Sequence, residues 1–244
     1  MCIRDSTGTG TGPFDSHSVT VSSDSMGSLT VHGHGGTNAA SALDGTAAGD
    51  LWDSTLGITA ANDVAAVTSG DNLVVYTLPT LADGVAITAS YASDGENHEG
   101  STALGLVYTG VEGLTVSLGS GDDNSTVAVD AEQTVMKVSY AYGPITVGYS
   151  NSDYDHTTST SDQETSSYNL SYTVSDAISI SYGEETIDKS GSAADIEVKG
   201  INASYTSGGM TIAAKSVSAD NIDYTSTTTN NDNEMFKLSA SFAF

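Results

Sequence analysis

His32-Gly33-His34 places two imidazoles two residues apart. On an extended chain that spacing puts both rings on one face, and a pair of imidazoles is the start of a zinc site. Structural zinc takes four ligands and catalytic zinc three, yet no thiol or evident third ligand accompanies this pair. The histidines are therefore read as polar wall residues, with no metal expected. Gly121-Asp122-Asp123-Asn124-Ser125 offers oxygen ligands of the kind calcium takes. It lacks the EF-hand spacing and does not recur as a calcium-binding solenoid would, so solvated acids are expected there. Ser, His and Asp are all present, but the chain has no Gly-x-Ser-x-Gly elbow, no Walker loop and no dinucleotide fingerprint. Gly8-Thr9-Gly10-Thr11-Gly12 is glycine-rich but opens no helix. No enzyme and no cofactor are expected. What remains is charge: the acids Asp44, Asp50, Asp53 and Asp63 in one polar stretch, and a short set of lysines that includes Lys137, Lys215 and Lys237.

That charge is lopsided. Over 244 residues, 31 acids against 6 bases give −25 at pH 7. Nucleic-acid binding needs a basic face, so it is excluded as a function. Attraction to an anionic lipid surface is disfavoured for the same reason. Charged residues are 15% of the chain, against roughly 25% in ordinary soluble domains. Ser, Thr, Gly, Asn and Tyr fill the space instead. No run approaches the roughly 20 apolar residues of a membrane helix. Met1-Cys2-Ile3-Arg4-Asp5-Ser6 reads back as ATG TGT ATA AGA GAC AG, which resembles a transposase-adaptor end. Residues 1–6 are therefore set aside as an adaptor scar and residues 7–15 as the remnant of an outer loop. Cys2 and Arg4 then drop out, and thiol chemistry with them. The lack of a signal peptide then carries no information about compartment.

The elements that must hold these charges follow from period-two patterning. Phe236, Leu238, Ala240, Phe242 and Phe244 share one face of the last segment, and Lys237, Ser239, Ser241 and Ala243 the other. The same alternation recurs along the chain, as in Leu104, Leu106 and Tyr108, in Tyr168, Leu170, Tyr172 and Val174, and in Ile178, Ile180 and Tyr182. Thirteen antiparallel strands are expected, all-β, with a bulge near Lys199-Gly200 where the alternation slips. Short connections at Asp24–Ser28, Thr80–Gly84, Thr109–Gly113, Gly143-Pro144, Ser175-Asp176 and Ser207–Gly209 carry turn residues. Longer polar connections lie between them and hold most of the acids, among them Asp122, Asp123, Asp130, Glu132, Glu184 and Glu185.

The closing strand resembles the assembly signal of outer-membrane β-barrels, polar-x-Gly-x-x-aromatic-x-aromatic. Lys237, Phe242 and Phe244 meet it, and Ser239 stands where glycine is usual. Tight turns on one side and loose loops on the other suit a transmembrane barrel. Small residues on the polar face suit a crowded lumen wall, and tyrosines at strand ends suit an aromatic girdle. Asn72–Pro79 followed by Gly84-Val85-Ala86-Ile87, then Tyr142–Tyr149, then the terminal Phe, resemble in that order a general Gram-negative porin of the trimeric sixteen-stranded type, over roughly residues 16–244. In that family a long loop after the fifth strand folds into the pore. Here the long stretch at residues 35–71 follows the second strand, so the thirteen strands would run from the family's fourth to its sixteenth.

The resemblance implies a water-filled barrel in the cell outer membrane. It implies passive diffusion of small hydrophilic solutes and ions, a homotrimer, contact with lipid and lipopolysaccharide, and handling by the barrel-assembly machinery. Asp44, Asp50, Asp53 and Asp63 are then candidate constriction acids, each with a solvated loop acid as the plain alternative, and Trp52 a candidate anchor of the loop. Lys137, Lys215, Lys237, His32 and His34 are candidate lumen groups. The basic cluster that faces the family's loop acids is missing from the early strands. An acid-rich lumen with few cations should prefer cations. A solute-specific outer-membrane channel and a secreted acidic calcium-dependent β-adhesin stay open as alternatives.

Overall fold

The computed structural model describes residues 16–52, 56–58, 71–93, 100–126, 129–158, 161–226 and 232–242. The described residues form thirteen strands and no α-helix. They are β1 (His17–Ser23), β2 (Gly27–His34), β3 (Leu73–Thr77), β4 (Val85–Ala92), β5 (Ser101–Tyr108), β6 (Leu114–Thr126) and β7 (Val129–Tyr142). Then come β8 (Ile145–Asp155), β9 (Gln163–Ser175), β10 (Ile178–Lys189), β11 (Ile196–Ser207), β12 (Met210–Asp220) and β13 (Asn233–Phe242). They make one antiparallel sheet in which spatial order equals chain order, a plain meander. The strand count and the all-β class agree with the patterning. The short turns lie where the Gly, Pro and Asp residues put them. Gly27, Gly84 and Gly113 sit at φ of 79°, 74° and 76°, the left-handed region that glycine enters without a Cβ clash.

Two expectations are corrected. The strands run further into the acidic segments than the patterning indicates: Asp122 lies in β6, Glu132 in β7, and Glu184 and Glu185 in β10. Only two residues separate β6 from β7, where a long loop was expected. And there is no bulge at Lys199-Gly200. The pairings Glu184↔Lys199 and Gly183↔Gly200 run on without a shift, as do Lys199↔Ser218 and Gly200↔Val217. The slip in the pattern has another cause. Toward the start of β11 the inward side chains Ile196 and Val198 are apolar, because apolar residues cover them from inside. Among the described residues, register shifts fall at His17/Ser18 and at Ile178/Ser179.

The chain packs as two compact units, Met1–Asp44 with Ala66–Met136 and Ser152–Ser161, and Gly45–Ala65 with Lys137–Asn151 and Asp162–Phe244. In the first unit, Leu104 of β5 is 54% exposed, whereas Ser117 of β6, on the opposite face, is 8% exposed. In the second, Tyr168 of β9 is 59% exposed, whereas its neighbour Ser167 is wholly buried. Each unit is thus the reverse of a water-soluble sheet: the apolar row stands bare and the small polar row is covered. Water-soluble monomers rarely expose a continuous apolar face of this extent. A barrel wall in lipid does so by construction. The tyrosines of this bare row include Tyr149 and Tyr168, whose rings are tilted 44° to one another with centroids 5.1 Å apart.

Candidate functional site

The covered face is a bed for the segment that follows β2. In the first unit, Ala39 and Ala40 are buried together with Ala103 of β5. The Ala39 amide donates to Ser90 Oγ of β4 at 2.9 Å. Gly105 of β5 makes this approach possible: a Cβ there would stand 2.6 Å from the Ala39 carbonyl oxygen. Gly119 of β6 serves Ala40 in the same way. Asn38 closes the local turn, its Oδ1 accepting the amides of Ala40 and Ser41.

In the second unit three consecutive strands each supply an acceptor. Ala47 N donates to Ser150 Oγ of β8 at 2.8 Å, and Ala48 N to Ser167 Oγ of β9 at 3.0 Å. On β10, Glu185 lies directly opposite Ser167. Its side chain is fully buried. The Thr46 hydroxyl donates to its Oε1, the Trp52 amide donates to its Oε2 at 3.1 Å, and the Leu51 amide adds a third bond. A buried carboxylate is tolerated when it is hydrogen-bonded this fully. Beside it, Leu51, Leu56 and Ile58 pack on Ile187, Ile196, Val198 and Val217 of β10–β12. Gly183 and Gly200 again admit the chain: a Cβ on Gly183 would stand 2.6 Å from the Ala48 Cβ.

The expected site residues fall into place unevenly. Asp53 and Asp63 lie outside the described residues. Asp44 is half-buried at the end of the first unit's segment. Asp50 is exposed and shapes the turn: its Oδ1 accepts Thr46 N at 2.9 Å, and its own amide donates to Thr46 Oγ1 at 2.7 Å. Lys137 points to the covered side and donates to the Gly45 carbonyl at 2.8 Å, so it ties down the segment. Lys215 and Lys237 sit opposite one another on β12 and β13. Phe242 is exposed on the other face of β13, and Phe244 lies outside the described residues. His32 and His34 share one face of β2, and His34 Nδ1 approaches Asp71 Oδ1 at 2.5 Å. Among the described residues no group of three metal-ligating side chains converges. Trp52 packs against the buried cluster that includes Leu56 and Ile58 and holds on by its amide, with no partner for Nε1 among the described residues. Glu185, the strongest anchor, was missed. Alternation counted outward from Tyr182 would have turned Glu184 toward lipid and Glu185 inward.

A family model described as Gram-negative porin matches residues 4–244. A porin structure refined at 1.8 Å is 20% identical, with a TM-score of 0.64 over 93% of this chain and 81% of that one. OmpT, an outer membrane protein of Vibrio cholerae, is 16% identical, with a TM-score of 0.58 over 93% of this chain and 79% of its own. An anion-selective porin from Comamonas acidovorans is 15% identical, with a TM-score of 0.57 over 85% and 68%. One similar OmpT structure is of a trimer form. No curated protein matches the chain in sequence.

Proposed function

The chain belongs to the Gram-negative porin family, and from that premise we propose that residues 35–71 narrow a water-filled passage through which small hydrophilic solutes and ions diffuse, with a preference for cations. The family makes this an outer-membrane channel and speaks for a channel over an enzyme. The observation that carries the proposal is the sidedness of the wall. The strands leave their apolar face bare and use serines, glycines and one glutamate to seat the chain's own segment on the polar face. Such a segment takes up space where a lumen would be, and the solutes that pass are set by what it leaves open.

Charge supports the cation preference. The net charge is −25, and Glu164, Glu184, Asp188, Glu197, Asp220 and Glu234 gather at the same ends of β9–β13, on the outward row, so their field acts at the rim of the wall and not along its inner face. A rim of one sign at the mouth of a passage raises the local concentration of the opposite ion. Homotrimer formation, contact with lipopolysaccharide, and recognition of β13 through Lys237, Phe242 and Phe244 by the barrel-assembly machinery belong to the same reading. The trimer form of OmpT supports the first of these. The test is the zero-current potential across a planar bilayer in a potassium chloride gradient. A potential of the sign set by potassium is expected. A potential set by chloride refutes the preference, and absence of conductance refutes the channel.

A further inference from the structure

The chain has five lysines, and three of them are engaged. Lys137 donates to the Gly45 carbonyl. Lys189 lies over the Tyr224 ring, 5.7 Å from its centroid. Lys199 stands on the lipid-facing row of β11, 2.8 Å from Glu197 and 3.8 Å from Glu184. The remaining two, Lys215 and Lys237, face each other across the β12–β13 pair. Among the described residues neither makes an ion pair. Both belong to the inward row, opposite the bare row of Phe236, Leu238 and Phe242. Asn202 of β11 is the next residue in the same cross-strand row, directly opposite Lys215.

Side chains directly opposite in an antiparallel pair have Cβ atoms about 5 Å apart, and like charges in that position repel. The chain holds 31 acids, yet the row Ser181–Asn202–Lys215–Lys237 carries no carboxylate, so the two ammonium groups form a local cation pair. A small oxyanion supplies the missing counter-charge. Its oxygens can take one charge-assisted bond from each ammonium, and the Asn202 amide offers a further donor.

We propose that Lys215, Lys237 and Asn202 form a binding point on the inner wall for the anionic group of a solute, a phosphate or a carboxylate. This deepens the channel reading and rests on it for the claim that passing solutes meet the pair. A channel that prefers cations overall would then still hold zwitterionic or anionic solutes by their acidic end at one place.

The test is titration of inorganic phosphate against the detergent-folded protein, read by phosphorus NMR line broadening, which does not depend on conductance. Saturable broadening is expected. K215Q and K237Q should each weaken it about tenfold, the loss of one charge-assisted bond, while the Arg pair K215R/K237R should retain it and K199Q should leave it unchanged. Absence of saturable broadening, broadening that survives K215Q/K237Q, or an equal loss in K199Q overturns the assignment. Phosphate binding by a protein that does not conduct would uphold the site and sink the channel reading. Conduction without phosphate binding would do the reverse.

Discussion

Removing the Glu185 carboxylate is the sharpest perturbation of the inner segment. Glu185→Ala leaves the Thr46 hydroxyl and the Leu51 and Trp52 amides without an acceptor. Glu185 is fully buried and Thr46 nearly so, so water cannot replace the carboxylate until the segment lifts. A buried donor without an acceptor costs about 1–3 kcal/mol. Even at the lower end, three such donors amount to ~3 kcal/mol, or about a hundredfold in the population of the lifted state. The segment should not detach outright. The bonds to Ser150 and Ser167, the Lys137 tether and the apolar seat of Leu51 and Leu56 remain. Glu185→Gln keeps an acceptor for the amides, and its new N–H can donate to the Thr46 oxygen. It loses only the charge assistance, which is worth about tenfold. Amide hydrogen exchange at Leu51 and Trp52, in the protein folded in detergent, reads the difference directly. Loss of protection by about two orders of magnitude in Glu185→Ala, and about one in Glu185→Gln, is expected. Unchanged protection of those two amides in Glu185→Ala would refute the claim that Glu185 holds the segment down.

Gly183→Ala would set a Cβ 2.6 Å from the Ala48 Cβ, whereas Gly148→Ala meets Ala47 at 3.4 Å, an ordinary contact. The first should cost about 1–3 kcal/mol in unfolding assays and the second much less; equal effects would mean that the segment does not seat on these glycines. Asp195, in the connection between β10 and β11, has its carboxyl raised by burial and by the charges of Asp188 and Glu197. A raised acid binds its proton more tightly when folded, so its contribution to stability improves as pH falls through the folded value and is unfavourable above it. Asp195→Asn should therefore raise the melting temperature at neutral pH and lose that advantage in acid; an advantage that grows in acid would contradict the sign.

The strands were legible because a wall with lipid on one side forces alternation, and the period survives wherever that contrast does. Val116 and Leu118 against Ser117 and Gly119 need no more than this. Strand length was not legible. At the acidic ends both faces leave the apolar contrast behind, so Asp122 and Glu184 read as loop although the backbone ladder continues through them. Near Lys199 the signal was inverted, since Val198 is apolar toward the inside, where Leu51 and Leu56 lie. That partner sits about 140 residues upstream, and local patterning cannot see it. The small residues of the polar face did announce a crowded wall. Which loop amide each of them receives depends on register, as does the meeting of Lys215 with Lys237. Register is a property of pairs of strands, and single-strand patterning leaves it open.

The inner segment also has a place in time. Asn233 Nδ2 donates to the Leu56 carbonyl at 3.0 Å across a separation of 177 residues, and the Glu185 bonds span 133 to 139. The hairpins that make the meander close over short stretches of chain, and such local contacts form early. Contacts of long separation cost more chain entropy and form after the ladder that supports them. The segment is synthesised before β3–β13 and seated after they have paired. The anchors at Ser150, Ser167 and Glu185 are then absent from the rate-limiting step of folding and present in the finished state. Interactions of that kind govern how slowly a protein comes apart and leave the speed of assembly almost untouched. The same side chains that seat the segment therefore set the lifetime of the folded wall.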